Sequence, residues 1–180
     1  MPYELENRLV IGLASSALFN LEESDKVFRE QGELVYRDYQ RQHQNRPLAA
    51  GVAFPFIKRL LAINAISPSD PPIEVVLLSR NDPVSGMRVF RSAKAHGLDS
   101  IQRGVFTQGR DPFGYLRPLG AQLFLSANAD DVTQALQLGY PAAHVFTDSM
   151  RASGTHPQEV RIAFDGDAVL FSVMSMHQEH

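Results

Sequence analysis

The chain contains no cysteine. Disulfides, thiolate-bound zinc and a thiol nucleophile are therefore excluded. It also has no surplus of positive charge. Against 17 Lys and Arg stand 20 Asp and Glu, for a formal net charge of -3. Neither nucleic acid nor an anionic membrane has an electrostatic reason to bind it. Long apolar runs are missing as well, and none approaches the ~18 residues of a membrane span. The opening Met1-Pro2-Tyr3-Glu4-Leu5-Glu6 has neither a basic region nor an apolar one, so no signal peptide is expected and a cytoplasmic location is. Walker A and GxGxxG fingerprints are lacking. The six histidines, His43, His96, His144, His156, His177 and His180, form no HExxH and no i, i+4 pair. His144 falls in an apolar run and reads as a core residue. Ser15-Ser16 has no accompanying His/Asp pattern, which argues against a serine hydrolase.

What remains is an ordinary globular composition. The 180 residues are 44% hydrophobic and 21% charged, enough for one domain with a sizeable core. Short apolar runs at 9–13, 73–78, 103–106, 123–125, 142–146 and 160–164 suit strands buried on both faces. Helical patterns lie between them. One is expected from Asn20, with Glu23 as its capping-box partner, to about Gln44, broken at Gly32. Others begin at Phe54-Pro55 and after Asp82-Pro83, the latter stopping near His96-Gly97, and two more fit 112–119 and 129–138. The charged stretch 22–41 reads as a solvated face, with Tyr36 and Tyr39 packing at its edge. This β-α-β-α order predicts a Rossmann-like α/β three-layer sandwich, a mostly parallel sheet with helices on both faces. The segments 68–72 and 148–158 read as loops.

In such sheets ligands bind beyond the carboxyl ends of the strands. Those positions here are Ser15-Ser16, Ser79-Arg80-Asn81, Thr107-Gln108-Gly109-Arg110, Ser126-Ala127-Asn128 and the pair Asp165 and Asp167. Hydroxyls, amides and guanidinium groups gathered on one rim suit a phosphate. The same residue types also cap and turn any strand-to-helix junction, so both readings stand. The pair Asp165-Gly166-Asp167 is the sharper signal. Two carboxylates one residue apart at a strand end can attack phosphorus, move a proton and hold Mg2+. An internal echo accompanies it. Ile11-Gly12-Leu13-Ala14-Ser15-Ser16-Ala17-Leu18-Phe19 is similar to the segment 162–171, with Ala14 and Ser16 where the second copy has its acids.

These residues resemble the cytosolic 5'-nucleotidase type 1 family of haloacid-dehalogenase-like (HAD-like) phosphatases. The resemblance runs from about residue 8 to residue 172. Its most specific pieces are Ala17-Leu18-Phe19-Asn20-Leu21-Glu22-Glu23, PLAAGVAFP at 47–55, LFLSANADD at 123–131 and RIAFDGDAVLFS at 161–172. It implies Mg2+-dependent hydrolysis of nucleoside 5'-monophosphates such as AMP or IMP. By this resemblance Asp165 is the nucleophile that becomes aspartyl-phosphate, and Asp167 is the acid/base; both hold the metal. Ser79, Arg80, Asn81, Thr107, Arg110, Ser126 and Asn128 are the expected phosphate- or nucleotide-binding residues. Three positions depart from the superfamily pattern. Arg110 stands where a lysine is usual, and Ser126 and Asn128 stand where acidic metal ligands are usual.

The resemblance also sets expectations for organisation. Residues 1–158 would be a HAD-like domain that is a degenerate half. Residues 159–172 would be the strand carrying the Asp-Gly-Asp motif of a truncated second half, and 173–180 a tail. The alternative function is a truncated, non-catalytic module that binds a nucleotide or a partner. A homo-oligomer stays open.

Overall fold

The computed structural model describes residue 5, residues 7–146 and residues 159–163. Five strands form its sheet: β1 (Leu9–Ala14), β2 (Ile73–Ser79), β3 (Arg103–Phe106), β4 (Leu123–Ser126) and β5 (Ala142–His144). They lie in the order β3-β2-β1-β4-β5, and every neighbouring pair is parallel. The helices are α1 (Ser15–Leu18), α2 (Glu22–Gln42), α3 (Phe54–Ala62), α4 (Pro83–Ala95) and α5 (Ala129–Gln137). The expected α/β class is what forms.

The continuous apolar runs explain the sheet. All seven residues of β2 are buried, as are five of the six in β1. A strand buried on both faces needs a helix layer above and below it. The strand order supplies both. From β1 the chain winds outward to β2 and β3, then returns to β4 and winds the other way. Right-handed crossovers place the helices of the two directions on opposite faces. The order reverses between β1 and β4, the place where doubly wound sheets open a crevice. Phe19, Phe113, Phe124, Ile11, Leu13 and Leu77 are among the fully buried core side chains. Phe113 meets Phe124 edge to face, with ring centroids 5.5 Å apart. Glu74, buried in β2, pairs with Arg103 of β3, so that carboxylate keeps a countercharge.

The two pieces 17–23 and 47–55 that carry part of the resemblance hold each other. Gly51 donates to the Leu18 carbonyl at 2.8 Å, Ala53 to that of Ala17 at 2.9 Å, and Asn20 to that of Ala49 at 2.9 Å. This last bond explains why no capping box forms at α2. The Asn20 N–H is already taken, and the Glu23 carboxylate pairs with Arg46 at 3.6 Å. Asn20 caps from one step earlier instead, its side-chain oxygen accepting from the Glu22 N–H at 2.9 Å. The helix therefore starts at Glu22. Its break at Gly32 is real, with φ 82° and ψ 177°.

Asp82 caps α4 as expected, accepting from the Val84 N–H at 2.9 Å, and Asn128 caps α5. Three expectations need correction. The helix over 112–119 shrinks to one 3-10 turn, Phe113–Tyr115, because Gly114 and Pro118 disfavour continuation and the chain reverses at Gly120. The last sheet strand spans Ala142–His144 rather than 142–146. Residues 160–163 form no strand, and Ile162 is 56% exposed. An apolar run makes a strand only where an edge accepts it, and among the described residues neither outer edge of the sheet is paired.

Candidate ligand site at the carboxyl rim of the sheet

The carboxyl ends of β1 and β2 sit side by side, and their terminal serines are locked together. Ser15 Oγ and Ser79 Oγ are 2.8 Å apart. Ser79 Oγ also accepts from the Asn81 N–H at 3.1 Å. Both serines are buried, so these hydroxyls organise the rim from beneath. The loop after β3 is stitched to the same strand end. The Thr107 N–H donates to the Ser79 carbonyl at 3.0 Å and the Thr107 hydroxyl at 3.2 Å. Gln108 and Gly109 donate to the carbonyls of Asn81 and Arg80. Gln108 and Gly109 have φ of 51° and 85°, which bends the loop tightly over the rim.

Arg80 ties the two halves of the rim. Its guanidinium meets Asp111 at 2.6 Å, Asp131 at 3.2 Å and the Gln134 side-chain oxygen at 3.1 Å. Ser126 donates to the other oxygen of Asp131 at 3.1 Å and accepts from the Asn128 N–H at 3.1 Å. Asn128 in turn accepts from the Asp130 N–H at 2.8 Å. The structure thus brings Ser79, Arg80, Asn81 and Thr107 together, and links Ser126 and Asn128 to them through Asp131 and Arg80. Arg110 lies on the same loop, exposed, and among the described residues no group pairs its guanidinium. Asp165 and Asp167 lie outside the described residues.

Above this rim is a cavity of 340 Å³. Its floor is Arg80, Asn81, Asp82, Gln108 and Gly109. Its wall is α2, which contributes Asp25, Phe28, Glu33 and Tyr36. The Gly32 break makes this possible, because it lets the two arms of α2 present Phe28 and Tyr36 to one space. The rings meet edge to face, their centroids 5.5 Å apart. The face of α2 that reads as solvated is thus partly a cavity wall. The sequence signal was available in Phe28 and Tyr36, two aromatics eight positions apart on a charged helix.

Tyr36 is 6% exposed. Burial pushes its phenol above the ordinary range, and the charges of Asp82 and Asp25 push the same way against hydrogen bonds from Ser85 and Gln40. It stays a neutral hydroxyl. Asp25 faces the cavity, not the packed core. Loss of hydration there raises its carboxyl pKa, and the neighbouring Arg29 offsets only part of the rise. Among the described residues the lining holds three acids, Asp25, Glu33 and Asp82, and one cation, Arg80, which is already matched by Asp111 and Asp131. Among the described residues no three His, Asp or Glu side chains converge as a metal site. No helix among them is long and apolar enough to cross a membrane.

Fold and rim together define a doubly wound α/β protein with a ligand-sized cavity over the carboxyl ends of β2 and β3. The 5'-nucleotidase family profile matches residues 1–178, and the chain belongs to that family. It is similar to human cytosolic 5'-nucleotidase 1B, with 36% identity over 186 aligned positions. That alignment covers 99% of this chain and 30% of the relative, so the chain spans less than a third of that relative's length. No solved structure matches it.

Proposed function

We propose that this chain serves a 5'-nucleotidase, hydrolysing nucleoside 5'-monophosphates of the AMP or IMP kind to nucleoside and phosphate in the cytoplasm. The observation that carries this reading is the family match across residues 1–178, a span that includes Asp165-Gly166-Asp167. In the proposed reaction an Asp165 oxygen attacks phosphorus and the bond from phosphorus to the nucleoside oxygen breaks. Asp167 gives its proton to that leaving oxygen. Water then attacks the aspartyl-phosphate, Asp167 takes the water proton, and phosphate leaves with Asp165 restored. Bound Mg2+ would offset the repulsion between phosphate and carboxylates. Asp165 and Asp167 are its proposed holders; the described residues offer no metal-binding set of their own. On this reading Arg110, exposed on the rim and unpaired among the described residues, is the best-placed phosphate partner.

The test is phosphate release from AMP and IMP, with and without Mg2+, by the 180-residue chain and by Asp165→Asn. Metal-dependent release that the substitution abolishes supports the reading. Release that survives Asp165→Asn unchanged sinks it.

A second reading has its own support. The Ser15 and Ser79 hydroxyls and the Arg80 guanidinium are already committed within the protein. A rim so occupied suits a non-catalytic module that binds a nucleotide or a partner. A folded chain that binds nucleotide and releases no phosphate would favour it.

A further inference from the structure

The 340 Å³ cavity between α2 and the rim is large enough for a small ligand, and its chemistry narrows which one would fit. Its volume is in the range of small-molecule sites. Its one cation, Arg80, already faces two carboxylates at 2.6 and 3.2 Å, and Asp25, Glu33 and Asp82 make the lining acidic. A phosphate would meet repulsion there. An uncharged ring system would not. Phe28 keeps 49% of its surface exposed at the cavity, an aromatic face that no described residue covers. Among the described residues no group bonds the side-chain amide of Asn81, although its backbone is fixed by Ser79 and Gln108. A carboxamide offers one donor and one acceptor side by side. That pair matches the N6 amino group and N7 of adenine. Asp25, on the cavity wall, offers carboxylate oxygens that can accept from a ribose hydroxyl.

We propose that this cavity binds the uncharged nucleoside portion of an adenine compound, stacked on Phe28 and read by Asn81, with no phosphate held inside it. The inference deepens the nucleotidase reading and rests on it for the choice of a nucleoside as ligand. The site draws on neither Asp165 nor Asp167, so it can be tested apart from catalysis.

The experiment titrates the full 180-residue chain with adenosine, without Mg2+, by calorimetry, and repeats it with 7-deazaadenosine, which lacks the N7 acceptor, and with inorganic phosphate. Saturable adenosine binding is expected, about tenfold or more tighter than 7-deazaadenosine, and undisturbed by millimolar phosphate. Phe28→Ala is expected to weaken it by about tenfold or more, in keeping with the loss of one base–aromatic stack. Asn81→Ala should erase the preference over 7-deazaadenosine. Leu34→Ala, on the same helix at 78% exposure and away from the cavity, should change nothing. Asp165→Asn should bind adenosine as the parent does. A cooperatively unfolding chain that shows no saturable adenosine binding overturns the inference. So does binding that Phe28→Ala leaves intact, or binding displaced by phosphate. Asp165-dependent AMP hydrolysis alongside any of those results would leave the nucleotidase reading standing and remove only this one. Adenosine binding with the expected variants but no hydrolysis would keep the cavity assignment and remove the catalytic reading.

Discussion

Ser15 and Ser79 join the carboxyl ends of β1 and β2 through a single contact between their hydroxyls, 2.8 Å long and buried. Neither group has water to fall back on. Ser79→Ala would strand the Ser15 hydroxyl and the Asn81 N–H together. An unsatisfied buried polar group costs about 1–3 kcal/mol, and urea unfolding should show a loss of that order. Adding Ser15→Ala should cost less than its effect alone, since its partner is already gone. Full additivity would show that the contact has no energetic weight.

Gly32 sits at φ 82° and ψ 177°, a region open to essentially no residue but glycine. An added methyl meets no neighbour there, so the whole effect of Gly32→Ala is backbone strain. A loss of about 1–3 kcal/mol is expected. The arms of α2 should also straighten, and adenosine binding should weaken with them. Unchanged stability would mean that the break is not held in solution.

Gly51 poses the opposite problem. Its backbone is unstrained, but a Cβ there would lie 2.6 Å from the Ala17 carbonyl oxygen and 2.7 Å from the Phe19 nitrogen. Main-chain atoms cannot rotate aside as a side chain can. Gly51→Ala should cost about 1–3 kcal/mol through overpacking, and more where the bonds between 17–20 and 49–53 break. Loss of amide exchange protection at Gly51 and Ala53 would locate the damage.

Asp25 gives the pH dependence a sign. Its folded-state carboxyl pKa is raised above the model value of 3.8 by loss of hydration. The folded protein therefore holds this proton more tightly than the unfolded chain does. The stability it contributes is complete below pH 3.8 and is lost as pH rises through the higher folded value. Asp25→Asn removes that term. Compared by urea midpoint at neutral pH, the variant should be the more stable of the two, and the gap should narrow toward acid. A gap that widens toward acid would reverse the assignment.

Much of the fold was legible because continuous apolar runs leave little choice. A segment such as Val75-Val76-Leu77-Leu78 must be covered on both sides, and strands alternating with helices cover it in one way. The caps at Asp82 and Asn128 were legible for the same local reason. Residues 112–119 were not, because the apolar spacing of Phe113, Leu116 and Leu119 outweighed Gly114 and Pro118 in the reading but not in the chain. Residues 160–163 show a different limit: the sequence records that a run is apolar and is silent on whether an edge awaits it. At the site, the rim residues were legible from their place after strands. The cavity was not, because it needs the Gly32 break to bring Phe28 and Tyr36 to bear on Asn81. Periodicity sees a charged helix there and cannot see what stands opposite.

The strand order also bears on how the chain is made. β1 is made before the other four described strands and is the middle strand of the finished sheet. Both of its edges are satisfied only by later arrivals. Val10, near its start, takes its contact with Gln122 from 112 positions downstream. At ribosomal speed that is a wait on the order of ten seconds. Through that interval an apolar strand stands with at least one hydrogen-bonding edge unpaired, a template for any other extended chain. The hairpin-like closure of 17–20 on 49–53 is complete long before β4 emerges, and it shields only the carboxyl end. The architecture thus leaves β1 aggregation-prone until β4 is made and gives chaperones a defined stretch to guard.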